Sequence, residues 1–166
     1  MTAPVTYPDP IYLGEGGEAS ATYRAVDQPP ELTYPSGTTV DYLATGASTG
    51  GLFGLYRYSM GGDPGGPGPH FHRSLTESFY VLSGSVRIFD GREWVETAPG
   101  DFIHVPAGGI HGFRNDSGAP VSMLIHFAPG APREGYFEGL AEFARSGRPG
   151  EDEMEAFYLL HDNHWV

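Results

Sequence analysis

The chain has 166 residues, 39% of them apolar and 13% aromatic, enough for one domain with a core of its own and short of two. Twenty-one acidic against nine basic side chains give a formal charge of −12, which repels a phosphate backbone or an anionic membrane surface and argues against nucleic acid or membrane partners. No cysteine is present, so disulfides and thiolate ligands are excluded; MTAPVTYPDP lacks the basic and apolar regions of an export signal, and the expectation is a soluble, cytoplasmic protein.

Residues 1–37 are rich in Pro, Gly and Thr, with short extended pieces at 11–13 (IYL) and 21–26 (ATYRAV), and read as an N-terminal β arm lying on the body. From residue 38 the texture becomes β-branched and aromatic. Eight short strands are predicted over 38–44, 52–60, 77–82, 85–89, 93–96, 101–105, 111–115 and 121–127. The 25 glycines and 15 prolines fall between such segments, as tight turns require. Asp90-Gly91 predicts a two-residue hairpin turn, and Asn115-Asp116-Ser117-Gly118 a second turn. The run GGDPGGPGP (61–69) lacks the lysine and the following helix of a phosphate cradle and reads as a loop that delivers the chain to the next strand. After residue 128, Tyr136, Leu140 and Phe143 recur at helical spacing. A helix is expected to start near Pro132, a residue favoured in a first turn. A second short helix is expected in EDEMEAFYLLHDNHWV, whose acidic start suits a helix dipole. The organisation is thus an arm (1–37), an all-β core (38–128) and a helical extension (129–166) in one domain.

The segment HFHRSLTESFYVLSG (70–84) carries the chemistry. In an extended strand His70 and His72 project to the same face, ~6.6 Å apart along the backbone. Glu77 lies an odd number of residues beyond His72, on the wrong face of a straight strand, so the chain must turn or bulge within Arg73–Thr76 for the three to meet. If they meet, two imidazoles and a carboxylate form a set suited to Fe, Mn, Co, Ni, Cu or Zn. Alone, a His-x-His pair fits a solvated strand as readily.

A second segment, GDFIHVPAGGIHGFRN (100–115), completes a pattern. His70, His72, Glu77 and Gly84 follow the spacing H-x-H-x4-E-x6-G, and Gly100, Pro106, Gly108, His111 and Asn115 follow G-x5-P-x-G-x2-H-x3-N. Together these resemble the two motifs of the cupin superfamily, with Pro64 where a glycine is expected before the first histidine. The resemblance covers 64–115 and implies a jelly-roll β-barrel of two antiparallel sheets. It also implies one divalent transition metal per chain, held by His70, His72, Glu77 and His111. The arm, the first motif and the run APGAPREGYFEGLAEF (128–143) are similar to bacterial quercetin-dioxygenase-like cupins. That likeness implies a small-molecule substrate, planar and phenolic or enolic, with Glu77 as the group that assists proton removal, O2 as a possible co-substrate, and a homodimer. The same ion acting as a Lewis acid fits isomerase, lyase or polyketide-cyclase chemistry, and a small-molecule-binding cupin without turnover fits as well.

Strand alternation with Glu77 and His111 places Phe79, Val81, Phe102 and Phe113 either as walls of an apolar cavity or as plain core filling, with His104 beside Phe102 as a further lining residue or a satisfied structural histidine. His126 reads as structural, and His161 and His164 as surface residues.

Overall fold

The computed structural model describes residues 6–166; the first five residues of the expected arm lie outside that range. The strands are β1 (Leu32–Thr33), β2 (Thr39–Ala44), β3 (Gly54–Met60), β4 (His70–Phe71), β5 (Thr76–Ser83), β6 (Arg87–Phe89), β7 (Trp94–Glu96), β8 (Phe102–Val105), β9 (Gly112–Arg114) and β10 (Val121–Ala128), followed by helices α1 (Arg133–Ser146) and α2 (Glu151–Leu160) and strand β11 (His164–Trp165). One antiparallel sheet runs β1-β2-β3-β10-β5-β8 and a second runs β7-β6-β9. β4 pairs with β11 and joins the second sheet through a reciprocal bridge, in which His70 and His111 each donate a backbone N–H to the other's carbonyl at 2.8 Å. The two layers close as a jelly roll.

Strand alternation builds the interior. In β10, between β3 and β5, Val121, Met123, Ile125 and Phe127 are buried while Ser122, Leu124, His126 and Ala128 alternate on the outer side. The inner row meets Tyr56, Phe79, Val81 and, from the opposite layer, Ile88 and Phe113. Full burial of each such side chain contributes about 1.5–3 kcal/mol. Two motif residues set turns. Gly84, at φ +74°, follows β5 where an added Cβ would lie 2.6 Å from the Pro120 carbonyl oxygen. Asn115 is fully buried; its Nδ2 donates to the carbonyls of Gly61 (2.7 Å) and Ala119 (2.8 Å), and its Oδ1 accepts from the backbone N and Oγ of Ser117. The glycine-rich loop is thereby tied to the turn before β10.

The structure departs from the sequence reading in two places. The pieces at 11–13 and 21–26 form no strand: Ile11, Leu13, Tyr23 and Val26 are exposed, and no neighbouring strand receives their backbone groups. Only Leu32–Thr33 pairs, against Val40 and Thr39, and the arm is anchored through Arg24, which bonds Glu31 and donates to Asp41 at 3.0 Å. The β6–β7 hairpin closes over residues 90–93, not over two residues, because Asp90 Oδ1 accepts from the backbone N–H of both Arg92 and Glu93 and stabilises a wider turn.

α1 begins directly after Pro132 and buries Tyr136, Phe137 and Ala141 against the barrel. Tyr56 Oη donates to Glu134 at 2.7 Å and Tyr34 Oη to the Phe137 carbonyl at 2.8 Å, fixing the helix across the barrel mouth. α2 carries Glu151, Asp152 and Glu153 in its first turn, where the helix dipole favours negative charge. It folds back so that Phe157 stacks on Tyr136 and meets Phe143 edge-on. The chain then turns at Asp162, in the left-handed region at φ 56°, a conformation asparagine and aspartate adopt more readily than most residues. That turn sends β11 alongside β4.

Candidate metal centre

β4 delivers His70, its continuation delivers His72, β5 delivers Glu77, and the bridge residue just before β9 is His111. All four are buried, and one donor atom from each lies within 4.8 Å of the other three. The chain bends over residues 73–75 between β4 and β5, as the odd spacing requires, with Leu75 buried as its pivot. Glu77 Oε2 is 2.7 Å from His111 Nε2 and 2.9 Å from His72 Nε2.

The opposite edges of the rings decide what this cluster can hold. His70 Nδ1 faces the Gly68 carbonyl at 2.8 Å, His111 Nδ1 that of Gly109 at 2.9 Å, and His72 Nδ1 that of Asp162 at 2.6 Å. A carbonyl only accepts, so each Nδ1 carries hydrogen and each neutral ring presents the Nε2 lone pair inward. Two of these nitrogens lie at hydrogen-bonding distance from a carboxylate oxygen, so either a proton on the ring or a metal ion bound by both groups satisfies the contact. Three imidazole nitrogens and one carboxylate suit a first-row divalent ion, so the residues present fit a single metal.

The electrostatics agree. Burial alone would raise the Glu77 pKa, but hydrogen bonds and charge from His111 and His72 overturn this and hold the carboxyl far below its usual range. Burial pushes His70 down to about 4, against the pull of Glu77, so this ring is neutral at neutral pH. For His111 burial acts downward as well, yet the hydrogen bond to Glu77 leaves it raised.

The family model described as cupin domain matches residues 58–127, from within β3 to nearly the end of β10. The chain carries a cupin domain. Quercetin 2,3-dioxygenase of Bacillus subtilis (strain 168) is 42% identical over 48 residues, which is 29% of this chain and 14% of that enzyme. Among solved structures, the polyketide cyclase RemF from Streptomyces resistomycificus is 27% identical with a TM-score of 0.53, over 67% of this chain and 79% of its own. KdgF from Halomonas sp. has a TM-score of 0.58 over 69% of this chain and 97% of its own, at 15% identity, a likeness of fold alone.

Beside the four donors the cupin barrel holds a cavity of about 320 Å³ lined by His70, Glu77, Tyr58, Phe113, Ile125 and Phe127, and closed by Arg133, Tyr136 and Phe137 from α1, Tyr158 from α2, and Asn163 and Trp165 from the last segment. Of the expected wall, Phe113 lines this space. Phe79 is buried behind it, its ring 6.0 Å from His111 and 5.8 Å from Phe113, and Val81 is core. Phe102 and His104 do not line the cavity. In the β5–β8 register Glu77 pairs with Val105 and Phe79 with Ile103, which sends Ser78, Tyr80, His104 and Phe102 to the outer face. Phe102 is accordingly 61% exposed, and His104 Nδ1 pairs with Ser78 Oγ at 2.9 Å outside the barrel. His126, on the outer side of β10, stacks on Phe53. His161 and His164 stand apart from the four donors; His164 stacks on Phe71 and bonds Asp162.

Arg133, Asn163, Trp165 and Asp162 were not expected at the site. The aromatic and polar run at 158–165 was the available signal, but only the return of α2 and the turn at Asp162 bring it to the barrel mouth. No helix is long and apolar enough to cross a membrane among the described residues.

Proposed function

We propose that this cupin is a metal-dependent oxygenase, a dioxygenase acting on a planar phenolic or enolic small molecule. One observation carries the reading: four buried donors converge at the side of a small cavity walled by aromatic rings, so a flat molecule filling the cavity is held against the donor cluster. His70, His72, Glu77 and His111 would hold one divalent ion, which when bound supplies a Lewis acid and a site for oxygen ligands. The protein's share is positional. Tyr58, Phe113, Phe127 and Tyr136 orient the ring plane and exclude water. Glu77 Oε1 makes no hydrogen bond among the described residues and belongs to a side chain that lines the cavity, so it is the group positioned to assist removal of the enol or phenol proton, which the charge of a bound ion beside the same oxygen would acidify. The electron-rich skeleton left by that transfer reacts with O2, and both oxygen atoms enter the product. The partial likeness to quercetin 2,3-dioxygenase supports this reading.

The likeness to RemF covers more of the chain and favours a second reading, Lewis-acid cyclase or isomerase chemistry without O2. Elemental analysis of the purified protein, then oxygen-electrode screening against flavonols, catechols and 1,3-diketones, separates the two. Oxygen uptake selects the first, turnover without uptake the second, and binding without product rejects both in favour of a binding module. His70→Ala and His111→Ala are expected to lose bound metal and turnover together; full metal occupancy in either removes the basis of the proposal. A homodimer is also inferred, because the exposed Ile11, Leu13 and Tyr23 of the arm and Tyr80 and Phe102 of the outer sheet face offer apolar surface for a second copy; a single monomeric species at micromolar concentration in sedimentation equilibrium would reject it.

A further inference from the structure

Arg133 stands in an unusual position for a cation. It is 4% exposed, it lines the cavity with Glu77 and His70, and no carboxylate lies within ion-pair distance of it among the described residues. Its guanidinium is sandwiched between Phe127, 5.0 Å from the ring centre, and Tyr136, 4.4 Å away. Nη1 donates to the His161 carbonyl at 2.5 Å and Nη2 to Asn163 Oδ1 at 3.1 Å, while Nε has no partner among the described residues. Of the five N–H bonds a guanidinium carries, these contacts engage two, and both acceptors are uncharged. Burial disfavours the charge, yet an arginine side chain stays protonated at neutral pH.

A buried charge without a counter-ion is costly. The cation-π contacts and the two neutral acceptors offset part of that cost, and they also immobilise the planar fork. The remaining cavity wall supplies no anion besides Glu77, which is engaged with His72 and His111; burial raises Tyr58 to about 12 and Tyr136 higher still, so both phenols stay neutral.

We propose that Arg133 is a specificity-determining residue that pairs with a carboxylate of the substrate, so that the cavity takes a small planar acid whose phenolic or enolic oxygen is turned toward the four-donor cluster. A carboxylate matches the spacing of adjacent N–H bonds on a guanidinium. The cavity volume is at the low end of the range for small-molecule sites, which favours one or two rings. The assignment rests on the cavity being the substrate site, as proposed above, and not on whether the reaction consumes O2.

The test compares 3- and 4-hydroxybenzoate with the matching uncharged hydroxybenzamides, by titration calorimetry on the purified holoprotein at neutral pH. The acids are expected to bind about tenfold or more tightly than the amides, as charge-assisted hydrogen bonds predict. In Arg133→Met the preference is expected to collapse, and in Arg133→Lys to survive in part. Amides that bind wild type as well as the acids overturn the proposal. So does an acid preference that persists in folded, metal-loaded Arg133→Met, because the carboxylate would then sit on the metal. If Arg133→Met does not fold, Asn163→Ala takes its place: it frees the guanidinium, the acid preference is expected to weaken, and an unchanged preference overturns the assignment. Oxygen uptake recorded in parallel keeps the readings apart, since acid preference without uptake rejects the oxygenase and retains the role of Arg133.

Discussion

Asp162 joins the barrel mouth to the four-donor cluster through three different parts of one residue. Its left-handed backbone turns the chain, its carbonyl accepts from His72 Nδ1, and its carboxylate accepts from the backbone of Arg73 and from the backbone and Oγ of Ser74. Burial would raise that carboxyl, but the Ser74 and Arg73 hydrogen bonds hold it down at about 2. Asp162→Ala should therefore cost about 10–100-fold in metal affinity, the usual effect of freeing a ligand histidine from its outer partner, whereas Asp162→Asn, which tolerates the same backbone, should lose much less. Competition against a chelator reads both; wild-type affinity in the alanine variant would show that His72 needs no such anchor. The residue scale also shows what sequence could convey. Spacing and family resemblance selected the four donors that the structure brings together, because short-range pattern encodes them. Alternation correctly grouped Phe102 with His104 but could not say which face of β8 is inward, since an aromatic and a histidine are tolerated on either side. The Asp162–Ser74 contact spans 88 residues, and no local pattern signals it.

At the scale of elements, the turns matter more than the strands. The loop 61–69 carries no side chain that grips the barrel by hydrophobic burial; it is tied by the Gly65–Asn115 bridge and by the Asn115 side chain. Asn115→Ala leaves the Gly61 carbonyl without its donor and the Ala119 carbonyl with Ser117 Oγ alone, at about 1–3 kcal/mol for a group that stays buried and unpaired. A drop of that order in urea-unfolding free energy is expected, together with a shallower fall in metal affinity because the loop leads directly into His70. Unfolding free energy within experimental error of wild type would mean that the loop is held by other contacts. The strands themselves were legible because β10 and β5 alternate cleanly, and α1 because its apolar residues recur at helical spacing. The arm was misread as extended because β propensity without a partner strand makes no ladder, and residues 6–31 have none.

On the scale of the whole molecule, Asp41 ties the arm to the sheet, accepting from Arg24 at 3.0 Å and Arg57 at 2.9 Å while itself 3% exposed. Burial would raise its pKa, but Arg57 and Arg24 leave it below the ordinary value. Its contribution is thus complete above the unfolded value near pH ~4 and fades as pH falls through the lower folded value. Asp41→Asn should destabilise by about 1–3 kcal/mol at neutral pH, and its gap to wild type should narrow toward pH ~3; denaturant titrations at both pH values check this, and a gap of constant size would show that the ion pairs contribute nothing. The placement of Trp165 has an optical consequence. Its indole lies 5.1 Å from the His70 ring and lines the cavity, while the other tryptophan, Trp94, packs on Phe89 at the opposite edge of the same layer. In a Trp94→Phe background the remaining fluorophore becomes a built-in gauge of occupancy. Open-shell Cu2+ or Ni2+ should quench its emission and closed-shell Zn2+ should not, giving a titration of the centre that needs neither a known substrate nor turnover.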